Sequence, residues 1–223
     1  MGLWMIQSIR RELNGVSYVE GKDKSSSETK PHETHMQGAS APATDIATKH
    51  YELEIEPMLE KGQVGFADLI EVARAAEPFS TTINVNDDRL LAPDSMIDEV
   101  CRACERSGQD VPRTIGELMR CVYLSLAQCY AHSIADLEVL TGRTFTSLNV
   151  VGGGSQDGYL SELTTAAHAA IPARTPAPPR ETALGNLAVQ MIADGLFDSV
   201  ADLRTNIAES FNVVEYHANE EAT

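Results

Sequence analysis

Three groups of residues in this sequence have types and spacings that could carry chemistry. The first is the triplet Gly152-Gly153-Gly154, set in "VVGGGSQDGYL" between a β-branched run and a stretch with helical spacing. Glycine lacks a Cβ, so the main chain there can come close to a ligand. A strand–glycine–helix junction also aims backbone N–H groups at a phosphate. A tight βα turn with no ligand is the other use of such a triplet. The common dinucleotide fingerprint fails, because Asp157 stands where Gly152-x-Gly154-x-x-Gly needs its last glycine. The chain also has no phosphate-binding loop ending in Gly-Lys-Ser/Thr.

The second group is Cys101-x-x-Cys104, the spacing of half a zinc site or of a redox pair. Cys121 and Cys129 do not repeat it, and all four fall in segments of helical, partly apolar pattern. They are expected to be reduced, buried thiols; a Cys104–Cys121 contact across a helical hairpin, which could oxidise if the thiols meet, is the lesser alternative. The third group, Asn86-Asp87-Asp88, offers two adjacent carboxylates. Asn and Asp favour turns, so turn hydrogen bonding is expected there in place of a metal. His32 and His35 lie in a polar run and are expected to be solvated. No metal ligand is assigned.

Acidic residues outnumber basic ones 33 to 17, for a formal charge of −16. That balance argues against nucleic acid or an anionic membrane as partner, since both need clustered Lys and Arg. In "MGLWMIQSIRRE" the apolar run is too short for a signal peptide, and Ile6 stands where myristoylation needs Ser or Thr. No run is long and apolar enough to span a bilayer. A cytoplasmic protein of one ordinary domain or two small ones is expected.

The elements that must position these groups follow from periodicity. Residues 2–13 place Leu3, Met5 or Ile6, Ile9 and Leu13 at helical spacing, stopped by Asn14-Gly15. From about Val16 to His50 the composition is too polar to bury a core, which predicts a flexible loop. "GFADLIEVARAA" predicts a helix carrying Phe66, Leu69, Ile70 and Ala73, and "TTINVNDDRLLAP" a strand or extended segment. Asp94 is expected to cap a helix that ends before Gly108. A capping box of Thr114 and Glu117 opens a long helix through Leu118, Val122, Leu126, Leu137 and Leu140, closed by Gly142. "SLNVV" predicts a strand before the triplet, and Leu160, Leu163 and Ala167 share a helical face after it. Leu184, Leu187, Ala188, Met191 and Ile192 form another apolar stripe. Ser199 opens a last helix and "FNVVEYH" predicts a closing strand. Alternating strands and helices imply an α/β layer architecture.

Five segments, in this order, resemble the rhamnulokinase group of the FGGY carbohydrate-kinase family. They are "GLWMIQSIRREL", "INVNDDRLLAPDSMIDEV", "RTIGELMRCVYLSLAQCYA", "LTGRTFTSLNVVGGGSQDGYL" and "TALGNLAVQ". The resemblance covers nearly all the chain except residues 16–50 and 169–181, and corresponds to the C-terminal part of such a kinase. It implies a partial actin/RNase H-like (ribonuclease H-like) α/β domain, the nucleotide-binding C-terminal domain without its first strands. Residues 1–14 would be its first helix, 15–50 a flexible polar insertion, 51–217 the remainder and 218–223 a tail.

The same resemblance implies ATP and Mg²⁺ as cofactors and phosphorylation of L-rhamnulose on its 1-hydroxyl, in L-rhamnose breakdown. Gly153 matches the family's nucleotide-contacting glycine, flanked by Gly152 and Gly154, and Gln7 matches a glutamine lining the nucleotide site. Gly185 matches a glycine that permits close packing at a family helix start. The sugar pocket and catalytic aspartate belong to the half that precedes these segments in the family, so no catalytic residue is assigned here. L-rhamnulose would bind through that half, which a separate reading frame could encode. One departure stands out: Ala177-Pro178-Pro179-Arg180-Glu181 replaces the family's Gly-Pro-x-Glu. Proline cannot donate to a ladder, so any strand in "IPARTPAPPR" is expected to be weakened. Two function classes result, a portion of an ATP-dependent sugar kinase that is inactive alone, and a non-catalytic nucleotide-binding or structural α/β remnant.

Overall fold

The computed structural model describes residues 2–15, 51–150, 152–167, 172–176, 181–210 and 213–216. The expected loop at 16–50, with His32 and His35, lies outside them. Residues Met1–Ser125 and Leu126–Thr223 form two compact units, divided within one long helix.

In the first unit, helix α1 (Trp4–Leu13) buries Met5, Ile6, Ile9 and Leu13, the predicted stripe apart from half-buried Leu3. Helix α2 (Phe66–Ala75) buries Leu69, Val72 and Ala73, whereas Phe66 is exposed and Ile70 half-buried. Arg10 lies over the Phe66 ring at 4.6 Å, so that aromatic serves a surface cation–π contact and not the core. Helix α3 (Met96–Arg106) is capped by Ser95, whose Oγ accepts the Asp98 N–H at 3.0 Å. The expected cap, Asp94, is displaced by one residue. Gly108 follows α3 at φ 67°.

The segment "TTINV" belongs to no sheet among the described residues. Side chains take the place of a partner strand. Gln109 exchanges bonds with the Thr82 N–H and C=O, and Ser125 Oγ accepts the Ile83 N–H at 2.9 Å. Helix α4 (Ile115–Thr141) starts as expected, with Thr114 Oγ1 accepting the Glu117 N–H. Glu117 reaches back to the Arg113 N–H instead of the Thr114 N–H, so the box is shifted by one residue. Gly142, at φ 63°, closes the helix.

In the second unit, Leu126 is buried on the continuation of α4, but Leu137 and Leu140 are 50% and 81% exposed, so the expected stripe does not bury its last turns. Three strands form one sheet in the order β1-β2-β3: β1 (Leu148–Asn149), β2 (Ala173–Pro176) and β3 (Val213–Tyr216). β1 and β2 run parallel, β2 and β3 antiparallel with Ala173 opposite Tyr216. The central strand is the segment whose prolines were expected to weaken it. Pro172 precedes β2 and Pro176 ends it, so the missing donors fall at its limits, and the Pro172 carbonyl still accepts the Leu148 N–H at 3.1 Å.

Helix α5 (Gly158–Ala167) packs on β2 and β3. Its buried residues are Tyr159, Leu160, Ser161, Thr164 and Thr165, while Leu163 is half-buried and Ala167 exposed, contrary to the expected face. Three of them, Ser161, Thr164 and Thr165, carry aliphatic hydroxyls. Each bonds the carbonyl four residues earlier, which lets a polar face enter the core without orphaned groups. Helix α6 (Glu181–Ala193) buries Ala188 but leaves Leu187 52% exposed, a second departure; the Leu184 side chain lies outside the description. Ser199 caps helix α7 (Val200–Ser210) by accepting the Asp202 N–H. Among the described residues no helix is long and apolar enough to cross a membrane.

Candidate nucleotide-binding site

The glycine triplet is wound into a 3-10 turn, Gly152–Gln156, between β1 and α5. It joins β1 to α5 as a tight βα turn and packs against β2 and α5. The first N–H groups of such a turn have no acceptor within it, and glycine leaves no Cβ in front of them. An anionic oxygen or a nucleotide base could use that donor set.

Asp157, the residue that breaks the dinucleotide fingerprint, has a structural role. It is 7% exposed, and its Oδ1 accepts the Leu160 N–H at 3.0 Å, which caps α5. Its own N–H donates to the Gly154 carbonyl at 3.1 Å, and its carbonyl accepts from both Ser161 N–H and Ser161 Oγ. The next residue is as constrained. A Cβ on Gly158 would come within 3.0 Å of the Tyr216 hydroxyl on β3. Sequence reading missed both residues, although an Asp directly before an apolar helical face is itself a cap signal.

Gln7 is exposed on α1, its N–H bonded to the Leu3 carbonyl at 2.9 Å. It belongs to the first unit, and Gly152, Gly153 and Gly154 to the second. Gly185 is exposed, and a Cβ there would meet nothing within 4 Å. Close packing is not the reason for that glycine.

The other candidate groups resolve as structure. Asp87 accepts from the Arg89 N–H at 3.0 Å and from its guanidinium, opening the 3-10 turn Asp88–Leu90. The Arg89 bonds hold its carboxyl down at about 2. All four cysteines are reduced thiols, but only Cys101, Cys104 and Cys121 are buried while Cys129 is half-buried, and the lesser alternative, a Cys104–Cys121 contact, is present with the sulfurs 3.9 Å apart. The hydrogen bond from Cys121 pulls the Cys104 thiol below the ordinary range and raises Cys121 well above it. Burial pushes buried Cys101 up to about 12. Among the described residues no three His, Cys, Asp or Glu side chains are grouped to hold a metal. A cavity of about 480 Å³ in the first unit is lined by Tyr51, Glu52, Phe79, Asp110, Arg113 and others, and includes none of the candidate residues.

The family model for the C-terminal domain of the FGGY carbohydrate kinases matches residues 9–193, so the chain belongs to that family and carries its C-terminal, α/β domain. Among curated relatives it is 41% identical to a rhamnulokinase of Ligilactobacillus salivarius over 155 residues, which is 69% of this chain and 31% of that protein. It is 42% identical to the rhamnulokinase of Enterococcus faecalis, over 70% of this chain and 32% of that one. With the rhamnulokinase of Bacillus subtilis it shares 36%, over 72% and 32%. The chain thus spans about a third of the length of the curated relatives it matches. A solved gluconate kinase from Lactobacillus acidophilus has a TM-score of 0.45 at 14% identity, over 74% of this chain and 32% of that one.

Proposed function

We propose that this chain is the ATP-binding part of a rhamnulokinase-type sugar kinase, which transfers a phosphoryl group from ATP to the 1-hydroxyl of L-rhamnulose. The observation that carries the reading is the family match over residues 9–193, together with three rhamnulokinases at 36–42% identity. Gly152, Gly153 and Gly154 offer main-chain approach to the nucleotide, and Gln7 offers a side-chain amide. What supports the triplet's part in this reading is that its three residues lack Cβ atoms at the head of a 3-10 turn, whose first N–H groups have no acceptor within the turn. Mg²⁺ in this reading is carried by the ATP phosphates, as hard cations usually are in kinases.

Phosphoryl transfer requires the acceptor hydroxyl in line with the γ-phosphate and a carboxylate to take its proton. In the family resemblance both come from the preceding half, so this chain binds ATP and does not turn over sugar alone. The test has two arms. Calorimetry with ATP should show binding by the chain and loss of it in Gly153→Val, where a β-branched side chain enters the approach path. ADP release with ATP, Mg²⁺ and L-rhamnulose should appear only after adding the N-terminal two thirds of a relative. Sugar-dependent turnover by the chain alone, at the roughly 1–100 per second of kinases, refutes the division of labour. Unchanged ATP affinity in Gly153→Val refutes the site.

A further inference from the structure

Helix α1 is held at its C-terminal end by two side chains that act across long stretches of sequence. Asn14, its C-cap residue, is 6% exposed. Its Nδ2 donates to the Val64 carbonyl at 2.9 Å and to the Arg10 carbonyl at 2.8 Å, while its Oδ1 accepts the Val64 N–H at 2.7 Å. One amide thus satisfies both backbone groups of a residue 50 positions away, as a paired strand would. Beside it, the Glu12 carboxylate accepts Ser95 Oγ, the Met96 N–H at 2.9 Å and the Ile97 N–H at 3.3 Å, all at the first turn of α3. These bonds tie α1 directly to Val64 and α3.

Gln7 lies two turns from this clasp on the same rigid helix. Seven residues at 1.5 Å per residue make a lever of about 10 Å, so a tilt of about 10° at Asn14 moves Gln7 by roughly 2 Å. Hydrogen bonds do not survive such a displacement. We infer that Asn14 is a positioning residue for Gln7, fixing α1 so that the glutamine amide stays where a nucleotide can use it. This rests on the nucleotide reading given above. Asn is suited to the task because Asp would keep the acceptor for Val64 N–H and lose both donated bonds, and Ala would leave the buried Val64 groups unpaired.

The experiment is a double-mutant cycle on the full chain, with ATP as the titrated ligand and folding checked by far-UV circular dichroism. Gln7→Ala and Asn14→Ala should each weaken ATP binding roughly three- to tenfold, the range of one lost hydrogen bond. Combined, they should weaken it no more than the larger single effect, since Asn14 acts through Gln7. A merely structural role would give effects that multiply. Where Asn14→Ala costs the fold, Asn14→Asp is expected to show the same non-additive loss. Trp4, the single tryptophan and the first residue of α1, reports displacement of the helix by greater acrylamide quenching. Multiplicative effects, or ATP affinity unchanged in both Asn14 variants, overturn the inference and leave the nucleotide reading intact. No ATP binding by the unmodified chain, or no loss in Gln7→Ala, overturns this inference together with its premise that Gln7 contacts nucleotide.

Discussion

Alanine in place of glycine should have opposite effects at two helical positions, for reasons visible in their surroundings. In a helix, alanine is favoured over glycine by about 0.5–1 kcal/mol, because glycine loses more backbone entropy on folding. At Gly185, exposed in the first half of α6, a Cβ would meet nothing within 4 Å, so that gain is kept. At Gly116, the second residue of α4, a Cβ would lie 2.8 Å from the Val72 carbonyl oxygen, 2.8 Å from Glu56 Oε1 and 3.1 Å from Ala76 Cβ. Glu56 could swing away, but it would give up the 2.6 Å bond it accepts from the Gly116 N–H. The Val72 carbonyl is α2 backbone and moves only with its helix. Overpacking of this kind costs about 1–3 kcal/mol, and a lost hydrogen bond about 1 kcal/mol more. Net of propensity, Gly116→Ala should destabilise by about 1–3 kcal/mol. At roughly 2–4 °C per kcal/mol for a chain of this size, Tm should fall by about 2–12 °C in Gly116→Ala, and rise by about 1–4 °C in Gly185→Ala. Thermal melts of the two variants beside the parent chain decide the matter. A Gly116→Ala protein as stable as its parent would mean that α2 and α4 do not approach this closely, and a destabilised Gly185→Ala would contradict the open surroundings of that residue.

Mild peroxide should join Cys104 to Cys121, since their sulfurs need close only from 3.9 Å to bonding distance, while Cys101 stays reduced; peptide mass mapping that finds all four thiols alkylatable afterwards would contradict this. Glu12 is raised above its ordinary 4.5, chiefly by burial, against the opposing bonds from Ser95, Ile97 and Met96. An elevated folded value means that its favourable contribution is complete below about pH 4.5 and is lost as pH rises through the folded value. Stability of the parent relative to Glu12→Gln should therefore decline over that interval and then level off, and a pH-independent difference in urea midpoints would refute it. Tyr216→Phe should permit Gly158→Ala with little cost, whereas Gly158→Ala in the parent must displace the Tyr216 hydroxyl; equal urea midpoints in the two backgrounds would show that contact to be unimportant.

What the sequence determined by itself was local, or rested on whole motifs. The buried face of α1, the Thr114 start and Gly142 end of α4, and the Ser199 cap of α7 each depend on residues within a turn of one another. The family was legible because five motifs occur in a fixed order, and the match over residues 9–193 agrees. Tertiary structure decided what depends on distant partners. Ser95 caps α3 in place of Asp94, and Glu12 adds acceptors for the same first turn from 83 to 85 residues away. Phe66 looks like core by pattern but lies on the surface beneath Arg10. The proline-bounded segment became the central strand because β1 and β3 offered it partners on both sides, which no local propensity encodes. Gly116 and Gly185 are alike in sequence, each a glycine near a helix start, and differ only in what stands within 3 Å of the missing Cβ. Periodicity states which face of an element is apolar, but burial is a property of two surfaces, and the second is chosen by the fold.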